Sequence, residues 1–191
     1  MGAASQYPLA FFKAVLKEEV DHIGIWREME RLVDEGKLKS IGVSNFNSEQ
    51  IERLNDTARI PIAVNQVECS PYFQQRKLRA AMDKLGIRMM AYASLGSTGR
   101  RKYSSTLRTG KNPVVHNLLE DPTVLSVAER RSKTPAQIIL RYLVQLGMVV
   151  IPKSSKRDRI VENFSIFDFV LDPEDMAALG GLDKVHIGRT A

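Results

Sequence analysis

Four short apolar runs in this chain each lead directly into side chains able to hold a ligand. Ile41-Gly42-Val43 leads into Ser44 and Asn45, and Ile62-Ala63-Val64 into Asn65 and Gln66. The run from Ile87 ends on Tyr92, and the run Met148 to Ile151 leads into Lys153 and Ser154. One polar run-end would mean little, but four in succession indicate a site. Asn45 and Gln66 each carry an amide that both donates and accepts, a match for another amide. Ser44 adds a hydroxyl, and Tyr92 a flat ring on which another ring can stack. Lys153 and Arg159 bring positive charge for a phosphate, Arg159 in a planar fork that also stacks on bases. An amide, a stackable ring and phosphates together describe a nicotinamide dinucleotide with an extra phosphate. Taken singly, the residues have plainer uses: Asn45 could cap a turn, and Tyr92 could be ordinary core.

The elements that must position these groups alternate between strand and helix. A helical stripe of Trp26, Met29, Leu32 and Val33 stops at Gly36 before the first run. Asn47 with Gln50 three residues on is a capping box, and Ile51, Leu54 and Ala58 follow on one face. Leu78, Ala81, Met82 and Leu85 make the next helix, ending at Gly86. Asp121-Pro122 opens another, and Thr134-Pro135 with Gln137 opens the one that Gly147 closes. The run Met148 to Ile151, apolar on both faces, predicts a parallel strand covered on both sides. A short helix around Arg159 to Phe164 and a last one from Asp172-Pro173 complete the chain. Alternating strands and helices leave an open doubly wound sheet or part of a barrel. In a barrel, ligand groups gather where strands end, because the loops there converge.

Composition narrows the function classes. At 191 residues, with 43% hydrophobic and 26% charged, the chain can bury a core and is a poor candidate for disorder. No apolar run approaches the roughly 20 residues that span a bilayer. The patch from Leu9 to Phe12, interrupted by Lys13, is too short and lacks the basic start of a signal peptide, so a cytoplasmic protein is expected. Cys69 is the only cysteine, which excludes an intramolecular disulfide and a cysteine-based metal site. His22, His116 and His186 lack metal-ligand spacing. The formal charge of +6 favours an anionic partner. No nucleic-acid recognition motif is present, so a small phosphorylated ligand accounts for it better. The loop from Gly96 to Lys111 is basic and free of acidic residues. It reads either as a solvated loop or as a lid over an anionic cofactor. No G-x-G-x-x-G exists, which removes the Rossmann fingerprint.

The chain also resembles a known family, the aldo-keto reductases. The matching stretches are Lys37 to Phe46 (KLKSIGVSNF), Val64 to Pro71 (VNQVECSP), Met90 to Gly96 (MAYASLG) and Ile151 to Phe164 (IPKSSKRDRIVENF). Weaker similarity joins them across about residues 20 to 180. The resemblance implies a (β/α)8 barrel that binds NADPH or NADP across the carboxyl-terminal ends of its strands and reduces a small carbonyl substrate. Carried over by position, it implies that Ser44, Asn45 and Gln66 hold the nicotinamide carboxamide and that Tyr92 stacks on its ring. Leu95 and Ser97 would border the pyrophosphate. Lys153, Ser154 and Arg159 would grip the 2′-phosphate, and Glu162 and Asn163 would meet the adenine.

The departures point to half of such a barrel, strands 5 to 8 with their helices. Residues 20 to 191 match the carboxyl-terminal half, and residues 1 to 19 form a divergent segment. The family's catalytic Asp, Tyr, Lys and His belong to motifs of its first four strands, none of which occurs here. The expectation is therefore a truncated oxidoreductase without a catalytic residue of its own. Its alternative is a non-enzymatic NADP(H)-binding or interaction module. Ala93 and Ser94 replace the usual Ser-Pro after the stacking tyrosine. Four strands in place of eight leave two open edges, which predicts self-association.

Overall fold

Several helix starts among the described residues are set by local side-chain hydrogen bonding. In Asn47 and Thr134 the side chain accepts from the backbone N–H three residues on, while Gln50 and Gln137 bond back to the cap backbone. Asp121 and Asp172 cap two further starts, each followed by a proline whose missing N–H is harmless there. The computed structural model describes residues 21–97 and 117–184. Its elements are α1 (His22–Asp34), β1 (Val43–Ser44), α2 (Ser48–Asn55), β2 (Val64–Glu68), α3 (Arg76–Lys84) and β3 (Arg88–Tyr92). A 3-10 turn (Leu118–Glu120) precedes α4 (Pro122–Arg131), α5 (Pro135–Gln145), β4 (Val149–Val150), α6 (Arg157–Phe164) and α7 (Pro173–Gly180). This is the expected α/β class.

All strand pairings are parallel, in the order β1-β2-β3-β4. The register aligns Ser44 with Gln66, Gln66 with Met90, and Met90 with Val149. Alternation then sorts the side chains. Asn65, Val67, Met89 and Ala91 are buried against the helices, where they join Ile51, Leu54, Met82, Ile138, Ile139 and Leu143. Gln66, Met90 and Tyr92 lie on the opposite face and are half-buried. Gly42 lets β1 approach β2: a Cβ there would stand 2.6 Å from both the Val64 carbonyl oxygen and Val64 Cγ2.

Two expectations need correction. β2 does not end at Asn65-Gln66 but runs on to Glu68, paired with β3 through Tyr92. Polar residues can continue this strand because Asn65 is satisfied inside the core by the backbone of Phe46. The run Met148 to Ile151 is likewise not covered on both sides. Its regular pairing is confined to Val149–Val150, and Val149 and Ile151 remain 42% and 40% exposed on the open face. The helices cover one side of the sheet, and no described residue seals β4 from the other.

Polar clusters fasten the helical layer. Glu30, 6% exposed, accepts on Oε1 from Trp26 Nε1 at 3.0 Å and from the N–H groups of Arg59 and Ile60 at 2.7 and 2.8 Å. Burial alone would raise its pKa, but these donors outweigh it and hold the carboxyl below its usual range. Asp175, 1% exposed, joins α7 to α4 through Arg130 at 2.6 Å and Arg131 at 2.5 Å. Gln74 Nε2 donates to the carbonyls of Pro71, Leu179 and Gly180, and its Oε1 accepts from Tyr142. Arg76 also donates to Gly180, and Lys184 N–H donates to Tyr72. The end of α7 and the residues just after it are thereby fastened to the loop after β2 and the start of α3.

Candidate functional site

Parallel pairing brings the ends of β1, β2 and β3 side by side, and the first expected contributors meet there. Ser44 is exposed, and its Oγ donates to the Gln66 carbonyl at 2.9 Å. The Asn45 N–H donates to that same oxygen at 2.9 Å, which leads the chain out of β1 through a left-handed turn with φ +59°. The Tyr92 hydroxyl donates to Asn45 Oδ1 at 3.1 Å, linking the tips of β1 and β3 across β2. Gln66 lies between them on the open face, its amide 3.2 Å from Met90 Sδ. Sulfur is a weak acceptor, so this amide keeps most of its hydrogen-bonding capacity for a ligand.

The next tip continues the row. The Ile151 N–H donates to the Ala91 carbonyl at 3.4 Å, so the chain leaves β4 beside Tyr92. Exposed Lys153 and half-buried Ser154 follow, with Ser154 Oγ accepting from the Lys156 N–H at 3.2 Å. Arg159, Glu162 and Asn163 all lie on α6, with Arg159 exposed and the other two half-buried. Glu162 is already engaged, its carboxylate accepting from Thr134 Oγ1 at 2.5 Å. Leu95 packs against the core, and Ser97 carries a left-handed φ of +48°. In the turn between them and β3, Ala93 has φ +53° and Ser94 Oγ donates to the Ala91 carbonyl at 2.8 Å. Most of the basic Gly96 to Lys111 loop lies outside the described residues.

A cavity of about 570 Å³ opens at the tips of β1 to β3. Asn45, Glu68 and Tyr92 line it on one side, and Gln75, Arg76 and Lys77 at the start of α3 on the other. Ser44, Gln66, Lys153 and Arg159 do not border it, so of the expected cofactor residues only Asn45 and Tyr92 line this cavity. A second, about 550 Å³, lies between β4 and α6 and is mainly apolar, with Asn163 at its edge. Run-end reading missed Glu68, which is 3% exposed, because the strand was read as stopping two residues earlier. Alternation from Gln66 would have placed it on the same face.

The buried phenols near β2 are committed to neighbours. Burial and then the Asp121 carboxylate, which accepts from Tyr72 at 2.6 Å, push the Tyr72 hydroxyl well above its usual range. Burial also raises Tyr142, whose hydroxyl donates to Gln74. Burial pushes the Cys69 thiol up to about 12, which leaves it protonated and unreactive. Among the described residues, no group of three or more His, Cys, Asp and Glu could hold a metal ion. No described helix is long and apolar enough to cross a membrane.

Comparison with known proteins decides the family. The profile described as "Aldo/keto reductase family" matches residues 10–184. The chain belongs to the aldo/keto reductase family. It is 43% identical over 159 residues to aldo-keto reductase family 1 member A1 of Cricetulus griseus, covering 83% of this chain and 47% of that relative. Dihydrodiol dehydrogenase 3 of Bos taurus is 42% identical over 170 residues, covering 87% of this chain and 50% of its own length. Among solved structures, the aldose reductase of Schistosoma japonicum superposes with a TM-score of 0.76 at 41% identity, over 88% of this chain and 50% of that one. A single-site mutant of Gox0644 in complex with NADPH gives 0.74 at 38% identity, over 87% and 54%. This family member therefore spans about half the length of the relatives it matches.

Proposed function

We propose that this chain binds NADPH or NADP across the carboxyl-terminal ends of its strands, as strands 5 to 8 of an aldo-keto reductase barrel that reduces an aldehyde or ketone. The observation that carries the reading is the row of Ser44 and Asn45 at the tip of β1, Gln66 on the open face within β2 and Tyr92 at the tip of β3, with Lys153 and Ser154 just after β4. Its chemistry suits the group: amides for a carboxamide, a ring to stack, cations for phosphate. In this reading Ser44, Asn45 and Gln66 hold the carboxamide, Tyr92 lies against the ring, and Leu95 and Ser97 border the pyrophosphate. Lys153, Ser154 and Arg159 take the 2′-phosphate, while Glu162 and Asn163 face the adenine. The bound nucleotide supplies hydride; the chain supplies binding and orientation.

Carbonyl reduction also needs a proton donor close to the carbonyl oxygen. The sequence has no counterpart of the family's catalytic motifs, and Tyr72 and Tyr142 are buried and bonded elsewhere. The chain alone therefore binds cofactor without ordinary turnover. Fluorescence titration with NADPH, followed by carbonyl-dependent NADPH oxidation on the same sample, tests both halves of the statement. Absence of binding refutes the first, and ordinary enzymatic rates refute the second.

A non-enzymatic interaction module is favoured by a different observation. Ile160, Val161, Phe164, Phe167 and Val170 are all more than half exposed on the β4–α6 flank. Apolar area of that kind marks an interaction surface. A second copy is the occupant available to the purified chain. Its parallel β1 edge runs in the direction that β4 requires, and two copies supply the eight strands of a closed barrel. Sedimentation should show dimers or larger species, and a monomer at high concentration would refute the association.

A further inference from the structure

Asn65 is fully buried on the helix side of β2, away from the row of open-face groups. Its side chain addresses both backbone polar groups of one residue: Nδ2 donates to the Phe46 carbonyl at 2.9 Å, and Oδ1 accepts from the Phe46 N–H at 3.4 Å. An amide is the neutral side chain that does both at once. Phe46 directly follows Asn45, whose left-handed φ of +59° is uphill for a residue with a Cβ. That turn is bracketed by two adjacent positions of β2, because the Asn45 N–H is held by the Gln66 carbonyl and Phe46 by Asn65. The direction of the Asn45 side chain, and its bond from Tyr92, follow from this bracket.

We propose that Asn65 is a positioning residue for the nicotinamide end of the cofactor, acting through Phe46 on Asn45 without touching the ligand. The inference rests on the NADPH-binding reading above. It makes a separable claim, because the groups assigned to the phosphorylated adenosine end, Lys153 and Arg159, lie on β4's loop and α6. Loosening the bracket should affect one end of the nucleotide and spare the other.

The test compares NADPH with adenosine 2′,5′-bisphosphate, which lacks the nicotinamide, on wild type, Asn65→Asp and Asn65→Ser. Asp keeps the shape and loses the donor to the Phe46 carbonyl, and Ser is the smaller alternative if the Asp variant does not fold. Circular dichroism selects the variants that retain the wild-type spectrum. The expected result is about tenfold weaker NADPH binding, the equivalent of one well-made hydrogen bond, with bisphosphate affinity within about twofold of wild type. Equal loss for both ligands would make Asn65 a general stabiliser and overturn the proposal, as would unchanged NADPH binding. Wild type that binds neither ligand would instead remove the cofactor reading itself, and the positioning role with it.

Discussion

Replacing Glu30 with alanine tests whether one carboxylate holds α1 to the entry of β2. The substitution leaves three donors without their acceptor: the buried Trp26 indole and the half-buried N–H groups of Arg59 and Ile60. A buried unsatisfied donor costs about 1–3 kcal/mol, and a half-buried one less because water reaches it. Against this stands relief from burying a charge, so a net loss of about 2–4 kcal/mol is expected. With a urea slope of about 2 kcal/mol per molar, the midpoint should fall by about 1–2 M. Glu30→Gln keeps an acceptor oxygen and should lose only about 1 kcal/mol. Trp26 is the sole tryptophan and bonds directly to Glu30, so its fluorescence during urea unfolding reads this site. The Glu30 pKa lies below its ordinary value of 4.5 in the folded chain. Its contribution is therefore fully present above about pH 4.5 and is lost as pH falls through the folded value. The gap between wild type and Glu30→Gln should be constant near neutrality and narrow in acid. A midpoint within about 0.3 M of wild type for Glu30→Ala at pH 7, or a gap that does not shrink in acid, would refute the reasoning.

Other perturbations follow from contacts already described. Gly42→Ala forces a methyl to 2.6 Å from the Val64 carbonyl and should lower stability by about 1–3 kcal/mol, read as a drop in the thermal midpoint. Asp175→Ala removes the buried acceptor of Arg130 and Arg131; because those guanidiniums are partly exposed and can turn to water, it should cost about 1–3 kcal/mol in urea unfolding. Asp172→Asn keeps an N-capping oxygen and should cost far less, and if the two match, Asp175 is not the anchor of α7. The Cys69 thiol, pushed up to about 12 by burial, should react with a disulfide reagent at pH 8 only as the chain unfolds. Prompt labelling of the native protein would contradict this.

Four helix starts were legible because their causes are local, whereas those at Arg76 and Arg157 have no side-chain cap and were read a turn or less too late. Asn47 with Gln50 and Thr134 with Gln137 occupy adjacent turns, and the structure forms both boxes. Strand limits were harder to read. Asn65 looked like a terminator because the group that satisfies it, the Phe46 backbone, is 19 positions away. The bond from Tyr92 to Asn45 crosses 47 positions and leaves no pattern in either segment. For β4, an apolar run states that both faces tolerate burial, not that both are covered. Val149 and Ile151 show the difference. The candidate site was visible as residue types, while the turn that aims Asn45 appeared only with the fold.

The bonds that tie Gln74, Arg76 and Tyr72 to the end of α7 and the residues just after it bear on ligand binding. Asp183, in that segment, and Arg76 both line the cavity at the strand tips. An occupant of the cavity that touched Asp183 or Arg76 would be linked to the docking of that segment, and any such linkage is reciprocal.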